Sequence, residues 1–217
     1  CYTAAQLLVD EGGFGNLERP FIYFTRYPHN LGLVYLLAGI FKLFGMLGWA
    51  DRFAQAALVC SLLFTVGLLA SARLCRRLGG VQAQTRMLLM FTAFLPFLYC
   101  TTELYTDAFS LSFSSVIIWS FLKAKDAQSG KRCAGGALLF GLAAFVGAQI
   151  RFTTIIAAIA CLIAAFFEKR FKLTAWLAAF LALFFCVGVA AVTRANNAQL
   201  GEENIKKYTL PKLHYIA

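Results

Sequence analysis

The sequence predicts an all-α fold, a polytopic membrane helical bundle with about six transmembrane helices and one or two juxtamembrane helices on the outer side. Hydrophobic residues make up 60% of the chain and charged residues 14%, whereas soluble proteins carry about 25% charged residues. Apolar runs without charge alternate with short basic segments. We therefore expect the basic residues behind the net charge of +10 to determine the orientation of the chain in the membrane. Nucleic acid is not expected as a partner.

Six runs free of Asp, Glu, Lys and Arg are the candidate spans. They are 53–72, 87–102, 108–122, 133–150, 152–167 and 173–193. A spanning helix needs about 20 mainly apolar residues, within a range of about 17–25. The first, fourth and last runs reach that length alone, and the other three reach it when their flanking residues are counted.

The charges between these runs predict the orientation. Loops 73–86, 123–132 and 168–172 together carry eleven basic residues and two acidic ones. If the six runs cross the membrane alternately, these loops share one side, and the positive-inside rule makes that side cytoplasmic. Both ends of the chain, the turn 101–107 and the turn at Arg151 then face outward.

The apolar stretch Leu31–Gly45 contains Lys42, which would cost about 2.5–3.5 kcal/mol at bilayer depth. Residues 1–30 carry no basic excess that would place them in the cytoplasm. We therefore expect Leu31–Gly45 to be a juxtamembrane helix; a seventh span over 31–48, with a snorkelling lysine, is the alternative. The predicted domains are an extracytoplasmic loop with juxtamembrane helices at 1–50, a transmembrane bundle at 51–193, and the start of an extracytoplasmic loop or domain at 194–217.

Soluble-enzyme signatures are missing from the sequence, which has no Walker loop, Rossmann glycine pattern or HExxH motif. The seven cysteines are scattered and lack metal-ligand spacing, so they are predicted to act as small apolar residues. Because the chain starts at Cys1, we expect it to be a piece of a longer protein. Function is therefore sought where polar side chains meet the membrane surface.

Acidic and basic side chains gather on the predicted outer side. They and their polar neighbours are Arg26, His29, Asn30, Asp51, Arg52, Glu103, Tyr105, Asp107, Arg151 and His214. Transfer of a group from a lipid phosphate needs a cation to hold the phosphate and a carboxylate to deprotonate the acceptor or bind a metal. Simpler roles stay open, because Asp107 is also a suitable helix N-cap and Asp51 could pair with Arg52. Arg151, between two apolar runs, favours ligand binding.

The order of these motifs resembles that of the GT-C fold polyprenyl-phosphate-sugar glycosyltransferases, which include protein O-mannosyltransferases and the aminoarabinose transferase of lipid A. The stretch "TRYPHNLGLVYLLAGIFKLFG" followed by "ADRFAQAALV" is similar to the family's juxtamembrane helix and second span. The turn "YTD", Tyr105 to Asp107, is similar to the family's Tyr-x-Asp turn, and Arg151 has the position of a common basic residue. One departure is Tyr27, which separates Arg26 from Pro28.

The resemblance implies an inverting plasma-membrane enzyme that moves a sugar from a polyprenyl-phosphate donor to a glycan, lipid or protein acceptor outside the cell. It implies donor-phosphate binding by Arg26 and Arg151 and catalysis by Asp107 with Glu103. The site rim would comprise His29, Asn30, Tyr105 and His214. A divalent cation on Asp107 is left open, and the family's principal carboxylate would lie upstream of Cys1. A transporter or flippase for a lipid-linked or anionic substrate is the alternative, as is a non-catalytic scaffold.

Overall fold

The structure is a computed structural model that describes residues 1–13, 23–24, 31–93 and 106–201, with the backbone alone for 106–108. These residues are almost entirely helical and include no strand, which confirms the all-α prediction. The helices are α1 (Tyr2–Asp10), α2 (Leu31–Met46), α3 (Arg52–Ala93), α4 (Thr106–Lys125), α5 (Gly130–Ile150), α6 (Ile155–Phe167) and α7 (Phe171–Leu200), with a 3₁₀ turn at Phe152–Thr154.

The chain divides into two compact units. Cys1–Ala56 and Val187–Ala217 form what we call the terminal unit, and Ala57–Cys186 forms the central unit. Helices α3 and α7 contribute residues to both units. Each unit is described separately below.

Three helices of the described residues, α3, α5 and α7, are long and apolar enough to cross a membrane. They contain the predicted spans 53–72, 133–150 and 173–193. Helix α2 and the segment Phe152–Phe167 are apolar but shorter. The 16 residues of α2 extend about 24 Å, less than the hydrocarbon core of about 30 Å. The chain is thus a membrane helical bundle, and the number of six spans stays a prediction.

Helix α3 is interrupted at Gly80, whose φ of 75° and ψ of −170° are not helical. Glycine adopts a positive φ without the steric cost that other residues incur. Helical residues continue on both sides of Gly80, so the chain turns back within the predicted connection 73–86, but the non-helical part of that segment is confined to Gly80. The rings of Phe64 and Phe91 lie 6.5 Å apart, so 81–93 folds back along 52–79.

Helices α4 and α5 form an antiparallel hairpin in which small residues allow close approach. A Cβ atom on Gly136 would lie 2.9 Å from the backbone of Ala124, and one on Gly147 would lie 2.9 Å from Cβ of Phe113. Ser129 caps α5, because its side chain accepts a hydrogen bond from the amide of Arg132. These contacts bring the two helices close together, as small residues along membrane helices allow.

The core of the central unit lies where this hairpin meets α6 and α7. Its fully buried members include Ile117, Phe140, Ala144, Ala158 and Leu177. Two further glycine contacts join neighbouring helices. A Cβ on Gly67 of α3 would lie 2.5 Å from Cα of Ser112, and one on Gly141 would lie 2.9 Å from the carbonyl oxygen of Phe180.

The three basic segments lie together at one end of the central unit, which we call the basic end. Arg77 contacts Asp126 with a nitrogen–oxygen distance of 2.5 Å, and Lys125 pairs with Glu168. The guanidinium of Arg170 donates to the carbonyl oxygen of Lys125 at 2.9 Å. The segments 73–86, 123–132 and 168–172 therefore share one end, as the charge distribution predicted.

In the terminal unit, α1 packs against α2. The rings of Tyr2 and Phe41 meet edge to face with centroids 5.6 Å apart. The hydroxyl of Tyr35 donates to Oδ1 of Asn196 on α7 at 3.0 Å. The buried face of α2 comprises Leu31, Leu33, Val34, Leu37, Ala38 and Phe41. Lys42 follows this face and is exposed, so its charge is not buried among protein side chains.

The start of α3 is fixed by two separate acidic residues. Oδ1 of Asp51 accepts a hydrogen bond from the amide of Ala54 at 3.0 Å, as an N-cap does. Arg52 instead forms two hydrogen bonds to Asp10, at 2.6 and 2.5 Å. A local Asp51–Arg52 pair is therefore a wrong prediction, because the N-cap engages Asp51 and α1 brings Asp10 to Arg52. The hydrogen bond from Arg52 holds the pKa of Asp10 below its usual value.

Candidate functional site

Arg151 stands at the break between two apolar helices of the central unit. Its extended backbone, with φ −150° and ψ 114°, ends α5, while its amide donates to the carbonyl oxygen of Gly147 at 2.8 Å. Its own carbonyl accepts from the amide of Thr154 at 3.0 Å, which closes the 3₁₀ turn. The side chain is half-buried. A cation also suits the negative end of the α5 dipole, so local structure and ligand binding both favour arginine here.

Thr154, three residues after Arg151, places a further polar atom in this turn. Its sequence context did not indicate a functional role. Its side chain is only 1% exposed, and a Cβ on Gly147 would lie 2.7 Å from its methyl carbon. Among the described residues, Oγ1 of Thr154 has no hydrogen-bond partner. A buried polar atom without a partner costs about 1–3 kcal/mol, so such atoms require an explanation. A ligand oxygen or a water molecule would provide one.

The backbone of Asp107 lies in the first turn of α4, at the same end of the hairpin as Arg151. The contact of Gly147 with Phe113 sets the register of the two helices near this end. With a rise of 1.5 Å per residue, Asp107 is about 9 Å beyond Phe113 and Arg151 about 6 Å beyond Gly147. The two positions are thus at nearly the same level. The 3₁₀ turn also contacts α4.

The other predicted site residues lie outside the described residues. They are Arg26, His29, Asn30, Glu103, Tyr105 and His214. The side chain of Asp107 lies outside them as well. Within the described ranges, no group of three or more His, Cys, Asp and Glu residues is arranged to hold a metal ion. The structure thus brings Arg151 and Thr154 to the end of the hairpin at which α4 begins.

Comparison with known families decides the class of the protein. The family model described as dolichyl-phosphate-mannose-protein mannosyltransferase matches residues 28–192, well over half of the chain. The chain belongs to this family. It is therefore a membrane glycosyltransferase of the GT-C type, in agreement with the resemblance found in the sequence. No curated protein and no solved structure is significantly similar to it.

The matched range shows which predicted residues of this mannosyltransferase-family protein fall within the family pattern. It includes both positions at the end of the hairpin, Asp107 and Arg151. It begins after Arg26 and ends before His214, so the hypotheses for these two residues rest on their own chemistry. The transporter alternative receives no support from the match, because the family is one of glycosyltransferases.

Proposed function

We propose that this protein transfers a sugar from a polyprenyl-phosphate donor to an acceptor at the extracytoplasmic face of the plasma membrane. The observation that carries the proposal is the position of Arg151, at the end of the α4–α5 hairpin opposite the basic end. The positive-inside rule assigns the basic end to the cytoplasm, so Arg151 faces outward. The name of the matched family, which describes mannosyl transfer from a lipid-linked donor, supports both the donor class and a hexose such as mannose.

Arg151 binds the donor phosphate in this proposal. When the acceptor oxygen attacks the anomeric carbon, the bond from that carbon to the phosphate oxygen breaks, and the departing lipid phosphate gains negative charge. A guanidinium stabilises this charge by paired hydrogen bonds, which are strong because both partners are charged. The hydroxyl of Thr154 lies in the same turn and supplies a further hydrogen bond to the donor.

Asp107, with Glu103, positions the acceptor hydroxyl by accepting a hydrogen bond from it in this proposal. A further carboxylate near the attacking oxygen acts as the general base, and attack opposite the leaving phosphate inverts the anomeric centre. Coordination of a divalent cation by Asp107 is the other role we propose to test. Arg26 assists at the phosphate, and His29, Asn30, Tyr105 and His214 form the rim of the site.

Helix α2 is a juxtamembrane helix in this proposal. Its length of about 24 Å is short for a span, and its buried face is directed toward other residues of the terminal unit. Its contact through Tyr35 reaches Asn196, which follows the predicted span 173–193. Lys42 then lies at the membrane surface, where its charge is hydrated.

The test is transfer of labelled sugar from a panel of polyprenyl-phosphate sugars by the full-length protein in lipid nanodiscs. We expect Asp107→Asn to lower kcat by about 10²-fold, the usual effect of misplacing a reacting group. Arg151→Lys keeps the charge but loses the paired geometry, so it should retain more activity than Arg151→Ala. Lys131→Gln, at the basic end, is the matched control and should retain wild-type activity.

Two outcomes would count against specific parts of the proposal. Wild-type transfer by both Asp107→Asn and Arg151→Ala would remove the site assignment. Loss of wild-type activity on addition of EDTA, with recovery on addition of Mg²⁺ or Mn²⁺, would show that transfer needs a divalent cation and would favour metal binding over acceptor positioning by Asp107. Absence of transfer from every donor in the panel would overturn the proposed reaction.

A further inference from the structure

The basic end of the central unit contains a pocket of about 550 Å³ that the proposed reaction does not use. We call it the headgroup pocket; its lining includes Lys125, Cys133, Lys169, Arg170, Lys172 and Leu173. Residues from α4, α5 and the α6–α7 connection form it together. It lies at the opposite end of the hairpin from Arg151.

The charge in this pocket is largely uncompensated. The only acidic residues of the three basic segments, Asp126 and Glu168, are both engaged in ion pairs. Glu168 contacts Lys125 and lies 3.6 Å from Nε of Arg170. Lys169 and Lys172 have no acidic partner among the described residues. The pocket therefore offers two positive charges to an anionic ligand.

Lys169 occupies a backbone position that favours glycine. Its φ is 56°, and it is the one residue other than glycine with positive φ among those described. Its amide donates to the carbonyl oxygen of Phe166, and that of Arg170 donates to Ala165, so the end of α6 is a Schellman motif with lysine at the glycine position. A lysine at such a position is sterically strained, and a role for its side chain would account for its presence there.

An apolar groove lies next to the pocket, along α7. It is lined by Lys172, Ala175, Trp176 and Ala179, and its volume is about 340 Å³. Lys172 lines both cavities, so the charged pocket and the apolar groove are adjacent. Trp176 stacks on Phe180 with ring centroids 5.8 Å apart, which gives the groove a rigid aromatic wall. A free phosphate would leave this groove unused, whereas an acyl chain would fill it.

We propose that the headgroup pocket and the groove along α7 bind one anionic phospholipid, with its phosphate between Lys169 and Lys172 and an acyl chain along Ala175 and Ala179. Basic pockets between membrane helices on the cytoplasmic side are suited to such headgroups. The lipid would join α4, α5 and α7 at the end of the bundle that the positive-inside rule assigns to the cytoplasm.

Cys133 provides a direct reporter, because it lines the pocket and is a free, half-buried thiol. Phosphatidylglycerol is titrated into the purified full-length protein in a neutral detergent, and the rate of maleimide labelling is measured by peptide mass spectrometry. Cys75, which does not line the pocket, serves as the internal reference. Phosphatidylglycerol should slow labelling at Cys133 and leave Cys75 unchanged, whereas phosphatidylcholine and inorganic phosphate should protect neither.

The charge requirement is tested with two double variants that remove equal charge. Lys169→Asn with Lys172→Gln removes the two pocket charges, and asparagine tolerates the left-handed backbone. The apparent affinity for phosphatidylglycerol should fall by about 30-fold, as expected for two charges near an anionic headgroup. Arg86→Gln with Lys131→Gln removes two exposed charges outside the pocket and should bind as the wild type does.

Three results would overturn the proposal. One is equal protection of Cys133 by phosphatidylcholine, which would show that charge is not recognised. Another is full protection by inorganic phosphate, which would identify an anion site in place of a lipid site. The third is equal loss of affinity in both double variants, which would show attraction to overall charge. Native mass spectra of both variants, with thermal unfolding, would verify that they are folded.

Discussion

At the basic end of the central unit, Asp126 and Glu168 are both paired, whereas the opposite end combines Arg151 with a buried hydroxyl of Thr154 that has no partner among the described residues. The pairs at the basic end are partly exposed. Exposed ion pairs contribute little stability, typically about 0–1 kcal/mol. Their role here is to join the three basic segments, which are far apart in the sequence. The opposite end keeps a costly polar atom, as proteins do at functional sites.

The largest expected effect separates two arginines, one at each end. Arg151→Ala should lower kcat/KM for sugar transfer by about 10²–10³-fold, as loss of a charge-stabilising donor usually does. Arg77→Ala removes an exposed pair and should change kcat/KM by less than about threefold. Both values are measured in nanodiscs with the same donor, after thermal unfolding has shown that the variants are folded. Equal losses in the two variants would contradict the contrast between the ends.

The next effect concerns the helix packing that positions Arg151. Gly147→Ala places a Cβ 2.7 Å from the methyl carbon of Thr154 and 2.9 Å from Cβ of Phe113, so we expect a loss of about 1–3 kcal/mol in the free energy of unfolding. Gly135→Ala is the matched control on the same helix, since nothing lies within 4 Å of its Cβ. It should raise stability by about 0.5–1 kcal/mol. Denaturant unfolding in detergent measures both, and destabilisation by Gly135→Ala alone would show that the hairpin contact is misassigned.

Much of the fold follows from local composition. The apolar runs 133–150 and 173–193 lie within α5 and α7, because a long apolar segment can satisfy its backbone in a membrane only as a helix. The break at Gly80 lies within the predicted loop 73–86, but the helical backbone on both sides of it did not follow, since the surrounding arginines favour a helix as readily as a loop. The pairing of Arg52 with Asp10 spans 42 positions, a distance that charge patterns along the chain do not encode.

The candidate site was predicted only in part, for a similar reason. Arg151 stood out because a charge between two apolar runs is rare. Thr154 did not, since a threonine in an apolar run has an ordinary appearance. Its methyl carbon lies close to Gly147 of α5, and Gly147 in turn lies close to Phe113 of α4, which is distant in sequence. A hydroxyl without a partner is therefore visible only in the folded chain.

A smaller effect should come from the hydroxyl itself. Thr154→Val keeps the branched shape and removes the buried Oγ1, so we expect the free energy of unfolding to rise by up to about 1 kcal/mol. If the hydroxyl binds the donor, KM for the donor should rise in the same variant. Thr153→Val, at an exposed neighbour, is the control and should change neither quantity. Destabilisation by Thr154→Val would mean that the hydroxyl is hydrogen-bonded, with water as the partner to consider.

The smallest effect is expected at the basic end, from a double-mutant cycle on Arg77 and Asp126. The two side chains are 38% and 56% exposed, so water screens their attraction. We expect a coupling energy of about 0.2–1 kcal/mol from denaturant unfolding of Arg77→Gln, Asp126→Asn and the double variant, and a lower value at high salt. A coupling well above 1 kcal/mol that salt does not reduce would mean that this pair is desolvated. The ion pairs of the basic end would then contribute substantially to stability. The two ends would differ only in the chemistry of their side chains.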